Sequence, residues 1–147
     1  MALIDDLKDA QKDAMRAKEK LRLGTIRMAL AAIKQKEIDE QVTLTDADVL
    51  AILTKMVKQR QDAASQYDAA GRDDLAQTER AEIVVIESFL PRALTDEELS
   101  ALIDEAMTSS GASGMQDMGK VMGLLKPKVQ GRTDMGALSA KIKQRLN

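Results

Sequence analysis

The chain contains no histidine and no cysteine. Without histidine it lacks the side chain that most often serves as a general base near neutral pH and most often ligates zinc. Without cysteine, disulfides, thiolate metal sites and thiol nucleophiles are excluded, and nothing points to an oxidising compartment. Aromatic residues are reduced to Tyr67 and Phe89, so binding by stacking bases on a row of rings is not expected. No apolar run approaches the roughly 18 residues that span a bilayer. The first residues, MALIDDLKDA, lack the basic-then-apolar layout of a secretory signal. No membrane association and a cytoplasmic location are therefore expected.

What remains is helix-forming material. Of 147 residues, 44% are hydrophobic and 31% charged, enough to bury a core and stay solvated. That core must come from Leu, Ile, Val, Met and Ala, mostly strong helix formers. The net charge is −2 but uneven. Residues 1–110 hold 15 Lys/Arg and 22 Asp/Glu, whereas residues 111–147 hold 7 Lys/Arg and 2 Asp. Such asymmetry fits a polyanionic partner, and it also fits a solvated surface with basic helix C-termini.

The hydrophobic period is helical throughout. A first helix runs from Ile4 to about Lys18, with Leu3, Leu7, Ala10, Ala14 and Ala17 on one side. A second runs from Lys20 to Asp39, where Leu23, Ile26, Leu30 and Ile33 make a packing seam. Thr45 is an N-cap for a long third helix, Asp46 to Ala70, which Gly71 stops. A fourth, Arg72 to Leu90, ends in the apolar cluster Ile83, Val84, Val85, Ile86, Phe89 and Leu90; the run Val84-Val85-Ile86 is strand-like by propensity but is read as a buried helix end. Thr95 and Glu98 form a capping box for a fifth helix. Asp117 is expected to cap a short sixth helix carrying Val121, Met122, Leu124 and Leu125, ended by Pro127. Pro127 to Thr133 then reads as a loop, and Asp134 caps a last helix with Leu138, Ile142 and Leu146 spaced four apart. No internal repeat is evident. The expected fold is all-α: an N-terminal helical subdomain with a long helix hairpin (1–92) and a small C-terminal three-helix bundle (93–147).

Gly114 to Lys120 fits G-x-x-x-x-G-K, most of a phosphate-binding P-loop. The next residue is Val121 rather than Ser or Thr, and the segment follows a helix and loop rather than a strand, so nucleotide binding is not expected there. Gly119 and Gly123 instead share one helix face with Lys120 beside them. Small residues at that spacing admit the backbone of a packed helix or of a nucleic acid. Lys126, Lys128 and Arg132 follow within seven residues, shaped by Pro127 and Gly131. Exposed cations of this kind hold phosphates without reading bases. A second set, Arg22, Arg27, Lys34 and Lys36 with Lys55, Lys58 and Arg60, is mixed with acids and reads mainly as solvated helix face.

Catalytic groups are scarce. Serines have no histidine base, and Ser139 and Lys141 lie two apart on a helix, pointing to different sides. Asp46 and Asp48 lack the rest of a calcium loop and suit helix capping. No catalytic residue, metal site or cofactor is expected.

The string Ile33-Lys34-Gln35-Lys36-Glu37-Ile38-Asp39, the stretch Leu44 to Pro91 and the block DMGKVMGLLKPKVQGRTD (117–134) resemble the GatB/YqeY family, in particular its stand-alone YqeY-like members. In that family the same domain also forms the C-terminal tail of the GatB component of the glutamine-dependent aspartyl/glutamyl-tRNA amidotransferase. The resemblance implies an all-helical fold and a role linked to tRNA, since that tail helps grip the tRNA body while other domains do the chemistry. It carries over Gly119, Lys120, Gly123, Lys126, Lys128, Gly131 and Arg132 as an RNA-facing surface. The amidotransferase's kinase-like domain and its separate amidase have no counterpart in this chain, so the carbon–nitrogen ligase label attached to the family finds no residues here to perform that reaction unaided. The expected partner is tRNA, without specificity for DNA. Two other readings are a protein-interaction module docking on a tRNA synthetase or amidotransferase, based on Met107, Met115, Met118, Met122 and Met135, and an amidotransferase component acting in trans.

Overall fold

A computed structural model describes residues 2–147. Among them are seven α-helices and no strand: α1 (Leu3–Arg16), α2 (Lys20–Glu40), α3 (Asp46–Ala69), α4 (Asp73–Glu87), α5 (Asp96–Ser110), α6 (Met118–Val129) and α7 (Met135–Leu146), with one 3₁₀ turn (Met115–Asp117) before α6. The chain forms two compact units that divide between Pro91 and Arg92.

In the first unit, α2 packs on α1, α3 and α4. Leu7, Ile26, Ile33, Val49, Leu53 and Ile86 are its buried centre, with Leu23 and Leu30 partly covered. The expected seam of α2 is thus present, shifted so that Ala29 is buried beside Ile26 and Ile33. Ala17, expected to share a side of the helix with Leu7 and Ala14, is exposed, because α1 ends at Arg16 and Lys18 turns the chain with φ 57°. Leu44 is buried although it lies between helices, and its N–H donates to Glu37 Oε2 at 3.1 Å. The most extensive contact is the α3–α4 hairpin. Buried Ala64 and Ala76 line it, and small side chains there let two helices approach closely. Gly71 turns that hairpin at φ 73°, a left-handed conformation that glycine adopts without penalty. The Val84-Val85-Ile86 run is helical, with Val85 and Ile86 inward and Val84 69% exposed.

Arg60 departs from the expected solvated face. Its Nε donates to Glu82 Oε2 at 2.8 Å across the hairpin, with side chains only 13% and 18% exposed, and its Nη1 donates to the Met56 carbonyl. Arg22 lies 5.4 Å from the centre of the Phe89 ring, a cation–π contact.

The second unit is a three-helix bundle around Leu99, Ile103, Val121, Leu125, Val129, Leu138, Ile142 and Leu146. Thr95 and Asp134 cap α5 and α7 as expected, accepting from the N–H groups of Glu98 and Gly136. Two expectations fail around α6. Asp117 does not cap it: the preceding 3₁₀ turn redirects the side chain, which accepts from Ser113 N–H at 3.0 Å. Leu124, one of the apolar residues the helix carries, is 44% exposed. Pro127 does not end the helix, so Lys126 to Val129 are its last turn rather than a loop. The reason is Val129, fully buried one further turn along the Val121–Leu125 row. A proline inside a helix costs about 3 kcal/mol, and burying a valine returns about 1.5–3 kcal/mol.

Candidate nucleic-acid interface

The α6 sequence, MGKVMGLLKPKV, contains no carboxylate, and neither does α7, MGALSAKIKQRL. Every fourth position, Val121, Leu125 and Val129, is buried, which turns Gly119, Lys120, Gly123, Lys126 and Pro127 outward. A Cβ placed on Gly119 or Gly123 meets nothing within 4 Å. Intramolecular helix packing therefore does not account for these glycines: among the described residues, nothing packs on them. Each leaves the helix about 1 kcal/mol less stable than alanine would. Lys120 is 3.9 Å from Asp117 Oδ1, and Lys126 has no ion-pair partner among the described residues.

The remaining residues of the family block lie differently. Lys128, on the flank of α6, pairs with Glu105 of α5 at 3.3 Å. Gly131 turns the chain at φ 76°. Arg132 donates from Nε to the Arg92 carbonyl at 3.0 Å, while its own carbonyl accepts from Leu94 N–H at 2.8 Å. Part of its guanidinium is thus committed to holding residues 92–94 against the α6–α7 turn. The structure brings Gly119, Lys120, Gly123 and Lys126 onto one open face and draws Lys128 and Arg132 into contacts of their own.

The helices also contain a repeat that the sequence alone does not make evident. Asp117-Met118-Gly119 recurs as Asp134-Met135-Gly136. The buried rows Val121, Leu125, Val129 and Leu138, Ile142, Leu146 then correspond, as do the exposed positions Gly119, Gly123, Lys126 and Gly136, Ala140, Lys143. The signal is present as a 17-residue offset, but only three positions are identical in a row, and the equivalence rests on matching burial. Lys143, like Lys126, is exposed and without an ion-pair partner among the described residues.

Electrostatically, α5 is the opposite of α6 and α7. It carries Asp96, Glu97, Glu98, Asp104 and Glu105 with no cation. Lys141 pairs with Asp96 at 3.5 Å, and Arg145 with Asp104. Glu98 also accepts from Arg92, and chiefly for that reason its carboxyl is lowered to about 2. Among the described residues no group of three or more carboxylates is placed to hold a metal ion, and no helix is long and apolar enough to cross a membrane.

Fold and face together define an all-helical protein whose C-terminal bundle shows a carboxylate-free, glycine-lined cationic side. The chain belongs to the YqeY-like family: the model described as Yqey-like protein matches residues 4–146. It is similar to "Altered inheritance of mitochondria protein 41, mitochondrial" of Clavispora lusitaniae, 42% identical over 101 residues that cover 67% of this chain and 58% of that one. The protein of the same name from Vanderwaltozyma polyspora is 34% identical over 120 residues, 76% of this chain and 64% of that one. The one from Lachancea thermotolerans is 35% identical over 121 residues, 78% and 65% of the two chains. The chain thus spans about three fifths of the length of these curated relatives. Their names as mitochondrial proteins overturn the cytoplasmic location expected above, which rested only on the lack of a secretory layout and of spanning helices.

Proposed function

We infer that the chain is a tRNA-binding accessory module that contacts phosphates through the exposed side of α6, with no catalytic centre of its own. The observation that carries this reading is the open Gly119–Gly123 face beside Lys120 and Lys126 on a helix without carboxylates. Two exposed helical glycines that fill no internal contact weaken the helix, and a backbone admitted close to it is a reason to keep them. Lysines at either side supply charge that neutralises phosphates without reading sequence. Lys128 and Arg132 belong to the margin of this surface.

The test is a salt titration of binding to bulk tRNA, with duplex DNA as control. Neutralising about three phosphates predicts a log–log slope of roughly −2 to −3. Lys120→Ala with Lys126→Ala is expected to reduce that slope by about 1 per lysine. Gly123→Ala is expected to stabilise the fold by about 1 kcal/mol while weakening tRNA binding. Unchanged binding in both variants sinks the assigned surface; equal weak binding to tRNA and DNA reduces it to an unspecific basic patch.

A further inference from the structure

We propose that the groove between α1 and α2 is a docking site for an acidic amphipathic helix of a partner protein. The groove has a volume of about 490 Å³ and is floored by the partly buried Ile4 and Leu30, above the already buried Ile33. Lys8 and Lys12 stand on its α1 wall and Lys34 on its α2 wall. All three lysines are exposed, and none has a hydrogen-bond or ion-pair partner among the described residues. The one carboxylate lining the groove, Glu37, is committed to the Leu44 N–H at 3.1 Å. Three uncompensated cations therefore face each other across an apolar floor. They do so in a unit that otherwise leans acidic, with 14 Lys/Arg against 17 Asp/Glu over residues 1–91.

That combination selects the occupant. A nucleic-acid backbone would satisfy the lysines but would lay phosphates over Ile4 and Leu30, where an anion loses hydration without gaining a donor. A fatty acid would cover the floor but brings one carboxylate to three cations on two walls. An amphipathic helix meets both demands: apolar residues spaced i, i+3 and i+7 cover the floor, and carboxylates on its flanks reach either wall. The lining residues extend from Ile4 to Lys12, about 12 Å along α1, which is a little over two helical turns. This site is separate from the α6 face and does not depend on the tRNA reading.

The experiment is amide chemical-shift mapping on the full chain with a synthetic helical peptide of about 14 residues, roughly four turns, carrying Leu at i, i+3 and i+7 and Glu on both flanks. A control peptide replaces each Glu with Lys. Shifts confined to Ile4–Lys12 and Leu30–Glu37 are expected with the acidic peptide alone. Lys8→Glu with Lys34→Glu should weaken that binding about tenfold or more, and since both residues are exposed and unpartnered the helical circular dichroism should stay unchanged. Equal binding of the two peptides, shifts on other helices, no binding at all, or tRNA or oleate perturbing these amides in place of the peptide would each overturn the proposal.

Discussion

The N-terminus of α1 is held from a distance. Ala2 offers no side chain to cap it, and Asp46, at the start of α3, accepts from Leu3 N–H at 2.9 Å. The sequence shows Asp46 as a dipole partner for its own helix; a cap reaching across 43 positions has no local signature. Left-handed residues are equally hidden when they are not glycine. Gln41 ends α2 at φ 55°, a conformation that costs an L residue about 1–2 kcal/mol. Gln41→Gly is expected to raise stability by about 1 kcal/mol, read as an upward shift in the urea midpoint with an unchanged slope. A lower midpoint would mean that the Gln41 side chain holds something the backbone geometry does not reveal. Glu98 was legible as half of a capping box, but its bond from Arg92 was not. Its carboxyl lies below the ordinary 4.5, at about 2, first because of Arg92 and then because of the Thr95 N–H. The folded state therefore favours the ionised form: the stabilisation is complete above pH 4.5 and is lost as pH falls towards 2. Carboxyl NMR should follow Glu98 titrating in that range, and Arg92→Ala should return it towards its ordinary value.

At the scale of elements, helix number and most helix starts were legible because Thr45, Thr95 and Asp134 announce them chemically and the apolar period is regular. Asp117 carries the same chemistry and misleads, since a 3₁₀ turn before α6 takes its side chain for Ser113. Pro127 misleads for the opposite reason. Local propensity says stop, but the row Val121, Leu125, Val129 continues and burial prevails. The Gln130 N–H still donates to the Lys126 carbonyl at 3.0 Å, so the ladder resumes beyond the proline. Pro127→Ala should then restore the missing N–H and stabilise the second unit by up to about 3 kcal/mol. Denaturation of the variant, with amide exchange at Val129 and Gln130, would check this. A loss of stability would show that the proline ring makes contacts that matter more than the helix it interrupts. The glycine positions were legible as a face, though not as an open one: whether a helix packs on Gly119 and Gly123 depends on where α5 and α7 run, and only three-dimensional placement tells.

Across the whole molecule, the sequence displays a charge asymmetry without its consequence. Residues 111–147 hold 7 Lys/Arg against 2 Asp, which suggests a uniformly cationic tail. The fold instead sets that tail beside α5, whose carboxylates take up Lys128, Lys141 and Arg145. The charge left for a polyanion is concentrated on Lys126 and Lys143, on helices that carry no acid, with Lys120, 3.9 Å from Asp117, and Arg132, bonded to a backbone carbonyl, beside them. The ion pairs with α5 are exposed, so each is worth little to stability, about 0–1 kcal/mol. They still govern how much positive potential reaches an approaching phosphate. On the tRNA reading, Glu105→Gln with Asp104→Asn releases Lys128 and Arg145 without removing a cation. Binding should tighten, and the salt dependence should steepen by about 1 for each cation recruited, while thermal stability barely moves. Weaker binding in that variant would place the polyanion elsewhere on the molecule, because no arrangement that uses α6 loses affinity when the neighbouring carboxylates are neutralised.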